Sequence, residues 1–227
     1  MHDPLAGSSW SAPSTVQGFA ESPPNATLMA FAAEERRRVP QGRVIDIGCG
    51  AARNAIHLAR QGWDVLGVDL SRPMLDAAQM RAAAEAEPER LRFAMGPMDA
   101  LPAPDATFDL IVAHGIWNLA RSSGEFRRGV AEAARVAAPG AALFVFTFSR
   151  HTLPPEAQPV AGEDFVFTQF SGQPQCFLTH AQLIGELGRV GFVPDPGVVF
   201  TEHNLPPPGA AQPMRVPVIY EASFRRA

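Results

Sequence analysis

Short apolar runs alternate with stretches of helical spacing, and this alternation constrains the chain more than any other feature. The runs are Arg43–Ile47, Trp63–Val68, Leu91–Met95, Phe108–Ala113 and Ala141–Phe148. Between them lie the helical stretches Arg53–Gln61, Pro73–Ala86 and Glu125–Ala137, the second opened by Ser71 as an N-cap. Phe108–Ala113 is apolar on both faces, as a central strand of a parallel sheet must be. The order βαβαβαβαβ predicts an open, doubly wound, mostly parallel α/β sheet of Rossmann-like type. Further on, Thr179 caps a helix over His180–Val190 that stops at Gly191. Two late strands, Phe192–Thr201 and Arg215–Phe224, are joined through Pro206-Pro207-Pro208-Gly209 and predict an antiparallel hairpin at the sheet edge. The expected fold is therefore a seven-stranded sheet whose ligand site lies beyond the carboxyl ends of its strands.

Three segments fall outside this rhythm. Residues 1–26, rich in Ser, Pro, Ala and Gly, read as an irregular arm with one ordered piece near Trp10. Asn25 is placed to cap a helix over Ala26–Arg38, whose Glu34–Arg38 end reads as solvated. Residues 149–178, broken by Pro154-Pro155, Pro159, Gly162, Gly172 and Pro174, read as a lid-like insertion in a single domain spanning 27–227.

The 227 residues suit one domain that folds without disulfides or metal. The 19 basic residues are all arginine, which excludes a Schiff-base lysine and a Walker-type phosphate lysine. A net charge of −4 argues against a general nucleic-acid binder. Cys49 and Cys176 are too few for a zinc cluster, and no metal site is expected. Met1–Gly18 lacks the pattern of a signal peptide, and no run is long enough to span a bilayer, so the expected compartment is the cytoplasm. Nothing in the sequence indicates an oligomeric state.

The chemistry gathers around Asp46-Ile47-Gly48-Cys49-Gly50-Ala51-Ala52-Arg53, between the first strand and the helix after it. Glycines there allow a sharp turn and close approach of a ligand. Asp69 ends the second strand, where a carboxylate can grip two ribose hydroxyls. Met98-Asp99-Ala100 follow the third strand, where Asp99 can receive an exocyclic amine of adenine. Together these describe a nucleoside pocket. Arg53 occupies the position at which a dinucleotide fingerprint needs a small residue, which disfavours pyrophosphate. Asp46 repels phosphate as well, and suits a cationic ligand.

At this point the sequence resembles a known family. Val44–Ser71 (VIDIGCGAARNAIHLARQGWDVLGVDLS) is similar to the first two motifs of class I S-adenosylmethionine-dependent methyltransferases of the type 11/25 kind. Met98–Pro102, Phe108–Ala120, Arg135–Phe148 and Phe177–Phe192 resemble the later motifs, in the family's order. The resemblance covers about residues 40–200 and implies S-adenosyl-L-methionine as cofactor. It places Gly48, Cys49 and Gly50 along the methionine part, Asp69 on the ribose, Leu70 beside the adenine, Met98 and Asp99 at the adenine edge, and the backbone near His114 next to the sulfonium. The family usually carries a third glycine where this chain has Ala52, a strained choice if φ there is positive.

Methyl transfer is an in-line displacement that asks the protein mainly for alignment, with a base only if the acceptor is protonated. The candidate catalytic residues follow the fourth strand. They are His114, as a base or an orienting group, Trp117, lining the acceptor pocket, and Asn118. A second set lies in the insertion (His151, Glu163, Gln169, Gln173, Gln175 and Cys176), and Phe165, Phe167 and Phe170 there form either a lid over an apolar acceptor or the insertion's own core. Glu202, His203 and Asn204 could reach the site from the last loop. The signature of DNA amino-methyltransferases is absent after strand four, which favours a small-molecule acceptor. Two rivals remain: a cofactor-binding protein without turnover, suggested by Ala52, and a nicotinamide-dependent oxidoreductase, for which one tyrosine and no lysine leave little machinery.

Overall fold

The structure is a computed structural model, which describes residues 3–196, 200–206 and 216–227. In chain order its elements are α1 (Pro13–Glu21), α2 (Ala26–Arg38), β1 (Arg43–Ile47), α3 (Ala55–Arg60), β2 (Asp64–Asp69), α4 (Arg72–Ala82), β3 (Leu91–Met95), β4 (Phe108–His114), α5 (Ser123–Val136), β5 (Ala137–Phe148), β6 (Val166–Phe167), β7 (Gln175–Cys176), α6 (His180–Gly188), β8 (Phe192–Pro194), β9 (Thr201–His203) and β10 (Ile219–Arg226). The main sheet runs β3-β2-β1-β4-β5-β10-β8, with β9 also on β10. The five strands β1 to β5 are parallel, and β10 is antiparallel to β5, β8 and β9.

This is the expected doubly wound α/β fold. β10 lies one place in from the edge, and β8 and β9 share its outer side. Part of each predicted late strand, and of the proline loop between them, lies outside the described residues. The central strands are buried on both faces because helices cover both. One cluster packs Ile45, Ile111, Leu143 and Phe224 with α5 and α6; the other packs Val44, Val65, Leu110 and Phe144 with α2 and α3.

The helix starts obey local chemistry. The side chains of Asn25, Ser71 and Ser122 accept from the N–H groups of Leu28, Met74 and Glu125, and Thr179 with Gln182 forms a capping box. Strand β5 begins earlier than expected: Ala137 already pairs with Phe108, and the register then shifts so that Leu110 meets Ala142. Pro139-Gly140 therefore forms an irregularity within a strand rather than a helix stop followed by a loop, with Gly140 at φ 75°.

Two expectations are corrected and one open alternative is decided. The arm is not irregular: it carries α1, started by Pro13 in the first turn. The Glu34–Arg38 helix end is only partly solvated, because Glu35 is 3% exposed and takes both guanidinium nitrogens of Arg225 at 2.8 Å. Arg38 and Asp195 complete that cluster, which ties α2 to β10. In the insertion, Phe165 and Phe167 are buried, Phe165 against Phe126 of α5, so they form core rather than a lid. The segment is pinned by Glu163, which accepts from the backbone N–H of Ser123 at 2.6 Å, and by the parallel bridge of Ser149 to Leu178.

Candidate functional site

The site lies at the carboxyl ends of β1, β2, β4 and β5. The backbone leaves β1 through Gly48 at φ 72°, where a Cβ would come within 2.9 Å of Ile116, so only glycine fits the turn. The N–H groups of Gly48 and Cys49 both donate to the Val68 carbonyl, at 2.7 and 3.1 Å. Ala52 adopts φ 63°, so the loop keeps the left-handed turn its sequence lacks a glycine for, and stores strain there. The Cys49 thiol is buried and its pKa pushed far up by burial, first of all, and then by Asp46 and Asp69; it fills space and does no thiolate chemistry.

Asp69 faces this loop from the end of β2. One carboxylate oxygen accepts from Gly50 N–H and the other from Ser71 N–H, both at 2.8 Å. A carboxylate has room for about four such bonds, so accepting capacity remains for a ribose hydroxyl. Burial raises its pKa against these backbone bonds. Leu70 beside it is half-buried. Asp99 pairs with Arg128 at 3.0 Å, Ala100 is exposed, and Met98 is buried beneath the site against the Trp117 side of α5.

Asp46 is 1% exposed near the end of β1, and its Oδ2 has no hydrogen-bond partner among the described residues. Burial raises its pKa to about 7, with Arg53 pulling the other way. Arg53, its guanidinium partly desolvated, reaches from the helix side to His114: Nη2 lies 3.2 Å from Nδ1. The His114 ring stacks on Phe146 at 4.3 Å, and its Nε2 is buried without a partner among the described residues.

Beyond Phe146 the next residue in the cross-strand row is Glu221. It is held by Asn25 Nδ2 at 2.5 Å and by His203 Nε2 at 3.0 Å, while Asn54 accepts from the Asn25 N–H at 3.0 Å. Glu221, Asn25 and the arm were not among the candidate site residues read from the sequence; nothing local marks Glu221 as a neighbour of the glycine loop. For the arm there was a signal, the helical spacing of Val16, Phe19 and Ala20 behind Pro13. Phe19 lies over the loop, its ring 3.3 Å from where a Cβ on Gly50 would sit and 5.8 Å from the Arg53 guanidinium. Trp10 packs edge-on against it, and Ser11 reaches Ser71 at 3.2 Å.

The other candidates divide. Trp117, expected to line the acceptor pocket, is fully buried against Phe126 and belongs to the core, because the turn after β4 folds back onto α5. Asn118 is 3% exposed in the same turn, its Oδ1 unpartnered among the described residues. His151 binds Glu202 at 2.7 Å on the opposite face of β10 and stays largely exposed. Cys176 donates to the Ala120 carbonyl inside the core. No cluster able to hold a metal exists among the described residues.

A family model described as a methyltransferase domain matches residues 44–140. The demethylmenaquinone methyltransferase of Deinococcus radiodurans is 32% identical over 195 residues, covering 82% of this chain and 70% of that protein. The chain belongs to the class I S-adenosylmethionine-dependent methyltransferases. Norajmaline N-methyltransferase of Rauvolfia serpentina is 32% identical over 122 residues, 53% of this chain and 41% of that one. The methyltransferase chain spans about two fifths of the length of the first curated relatives it matches. Among solved structures, the Burkholderia thailandensis 1,6-didemethyltoxoflavin-N1-methyltransferase, bound to 1,6-didemethyltoxoflavin and S-adenosylhomocysteine, superimposes with a TM-score of 0.63 at 19% identity, covering 88% of this chain and 78% of that one. At that identity the likeness establishes the fold.

Proposed function

We propose that this methyltransferase binds S-adenosyl-L-methionine at the Gly48–Ala52 loop and moves its methyl group to a small-molecule acceptor. The observation that carries the reading is the pairing of Asp69 with the loop. The carboxylate is fixed by two backbone N–H groups and keeps accepting capacity for a ribose hydroxyl. The residues present fit the group in a second way. Asp46 offers a buried, unpartnered carboxylate oxygen on the loop's inner side, which suits the ammonium of the methionine part. Gly48, Cys49 and Gly50 supply the close backbone, Leu70 and Met98 the apolar border of the adenine, and Asp99, next to Ala100, a carboxylate oxygen not engaged by Arg128 for the adenine amine. When bound, the cofactor supplies a methyl carbon already activated by its sulfonium.

The chain's own contribution is binding, alignment and exclusion of water. The acceptor approaches where β4 and β5 end, between His114, Phe146 and the arm; His114 Nε2 and Asn118 Oδ1 are among the buried polar atoms there without a partner among the described residues. Phe19 and Trp10 shield the loop from solvent, so the arm must shift to admit ligands. Ala52 takes the left-handed turn that a third glycine would give, at the cost of strain there, and this supports a loop still shaped to bind the cofactor. The net charge of −4 favours a small-molecule acceptor over nucleic acid. No helix among the described residues is long and apolar enough to cross a membrane. Two free, buried cysteines accord with the reducing cytoplasm.

Calorimetry with S-adenosylhomocysteine tests the site, and release of that product from S-adenosylmethionine across an acceptor panel tests turnover. Binding of a reduced nicotinamide cofactor without S-adenosyl binding would overturn the reading in favour of an oxidoreductase.

A further inference from the structure

Arg53 is the cation of the site, and it lacks the kind of partner that buried guanidiniums have elsewhere in this chain. Burial lowers the pKa of three guanidiniums among the described residues, those of Arg53, Arg81 and Arg150. Arg81 donates to the Ala51 carbonyl, and Arg150 to the carbonyls of Leu153, Pro154, Pro155 and Ala157. Arg53 has no oxygen acceptor among the described residues; its hydrogen-bonding contact is with His114 Nδ1 at 3.2 Å. That ring also bonds to backbone, and its pKa is lowered to about 4 by burial and then by Arg53, so it is neutral and offsets no charge. An unpartnered indole such as that of Trp63 costs one hydrogen bond. A partly desolvated guanidinium without an anion carries a whole charge and several N–H groups into that position.

The opposite charge beside it is Asp46. Each feels the other's field, Arg53 lowering the pKa of Asp46 and Asp46 raising that of Arg53. Yet no hydrogen bond or ion pair joins them, and Asp46 Oδ2 is buried without a partner among the described residues. The two charges are held apart across the glycine loop, Asp46 near the end of β1 and Arg53 just after Ala52. The arm's Phe19 ring lies 5.8 Å from the guanidinium and limits where it can swing. Opposite charges that interact without touching fit a zwitterion. Its ammonium takes the carboxylate, its carboxylate takes the guanidinium, and no existing ion pair has to be broken first.

Resting on the proposed function, in which Asp46 takes the ammonium of the methionine part, we infer that Arg53 receives the carboxylate of that same group. Asp46 and Arg53 then read the two charged ends of one amino acid. A guanidinium offers paired N–H groups to the two carboxylate oxygens and keeps others for His114. The site therefore selects S-adenosyl compounds that retain the carboxylate over those that have lost it.

Calorimetry on the full chain compares S-adenosylhomocysteine with its decarboxylated analogue, S-adenosyl-3-thiopropylamine, which keeps the adenosine, the thioether and the ammonium. The wild type should bind the analogue about thirtyfold more weakly, the worth of a charge-assisted pair. Arg53→Met should weaken S-adenosylhomocysteine by that factor and leave the analogue unchanged, so that the two ligands bind alike. Arg53→Lys keeps the charge without the fork and should retain part of the preference. An Arg53 that only shapes the loop or His114 would weaken both ligands equally in Arg53→Met and keep their ratio, and that result overturns the inference. Equal binding of the two ligands to the wild type also overturns it, with the cofactor reading left in place. Binding of neither ligand to the wild type overturns the cofactor reading and the inference together. Should Arg53→Met fail to fold, the wild-type comparison and Arg53→Lys decide the matter.

Discussion

Two regions of this methyltransferase bury polar groups, and they do so in opposite ways. Where α2 meets β10, Glu35 takes a bidentate grip from Arg225, and Arg38 and Asp195 complete the cluster. At the carboxyl ends of β1 and β4, Asp46 Oδ2, His114 Nε2 and Asn118 Oδ1 are buried without partners among the described residues, next to a strained Ala52. Neutralised charge of the first kind holds two distant segments together. Unpaired groups of the second kind cost folding energy, and such a cost is tolerated where a ligand repays it. The contrast separates structure from function more sharply than burial alone, which is similar in both places.

Four substitutions can break or sharpen this contrast. The largest effect is expected at the first region. Arg225→Ala leaves Glu35 buried with only the Arg38 contact and strips Asp195 of its guanidinium, and urea denaturation should show a loss of about 3–5 kcal/mol with little change in cofactor affinity of the folded fraction. Glu35 feels burial raising its pKa, but Arg225 and Arg38 prevail and the folded value is lowered. Its contribution is therefore full above its unfolded value and disappears as pH falls through the folded one, a slope that Arg225→Ala should remove. Next, Asp69→Ala should weaken S-adenosylhomocysteine by about a hundredfold, roughly 3 kcal/mol for hydroxyl bonding to a carboxylate. Unchanged calorimetric affinity would sink the ribose assignment.

The third concerns Asp46, whose pKa is raised to about 7. The folded chain holds a proton there that the unfolded chain releases near pH 4, so ionising it weakens the free protein as pH rises toward 7. A bound ammonium reverses the preference. Affinity for S-adenosylhomocysteine should thus fall about tenfold per pH unit below 7 and level off above it, and Asp46→Asn should flatten the profile. The smallest effect is at Ala52. Glycine relieves the positive φ but adds freedom to the unfolded chain and removes a buried methyl, so Ala52→Gly should gain only about 0.5 kcal/mol in urea denaturation. A clear loss would mean that the methyl's packing outweighs the strain.

Much of this was legible before the structure. The strand runs, the caps at Asn25, Ser71 and Thr179, and the loop facing Asp69 all rest on interactions within a few residues or on one repeated βα unit, and local sequence encodes those well. Trp117 shows where such reading stops. Its position after β4 suggested a pocket wall, yet whether the indole turns outward depends on Phe126, and on the insertion's Phe165, which packs edge-on against Phe126. The arm misled for a related reason: its composition suits a loop, and α1 buries none of its own residues, so its place comes from packing against α4 and the glycine loop.

The sequence by itself determined the doubly wound sheet, the glycine turn and the acid opposite it, because periodicity and turn chemistry are local. The all-arginine usage also fixed in advance that any cation in the site would be a fixed, donor-only guanidinium. Only the tertiary structure decided which cation that is and what it does. Arg53 meets His114 across 61 positions, and Asn25 meets Glu221 across 196. The first meeting follows from the parallel pairing of β1 with β4, and the second from the return of β10 beside β5 with α2 seated on that face. Side chains so far apart in sequence come into contact only once the whole sheet has assembled.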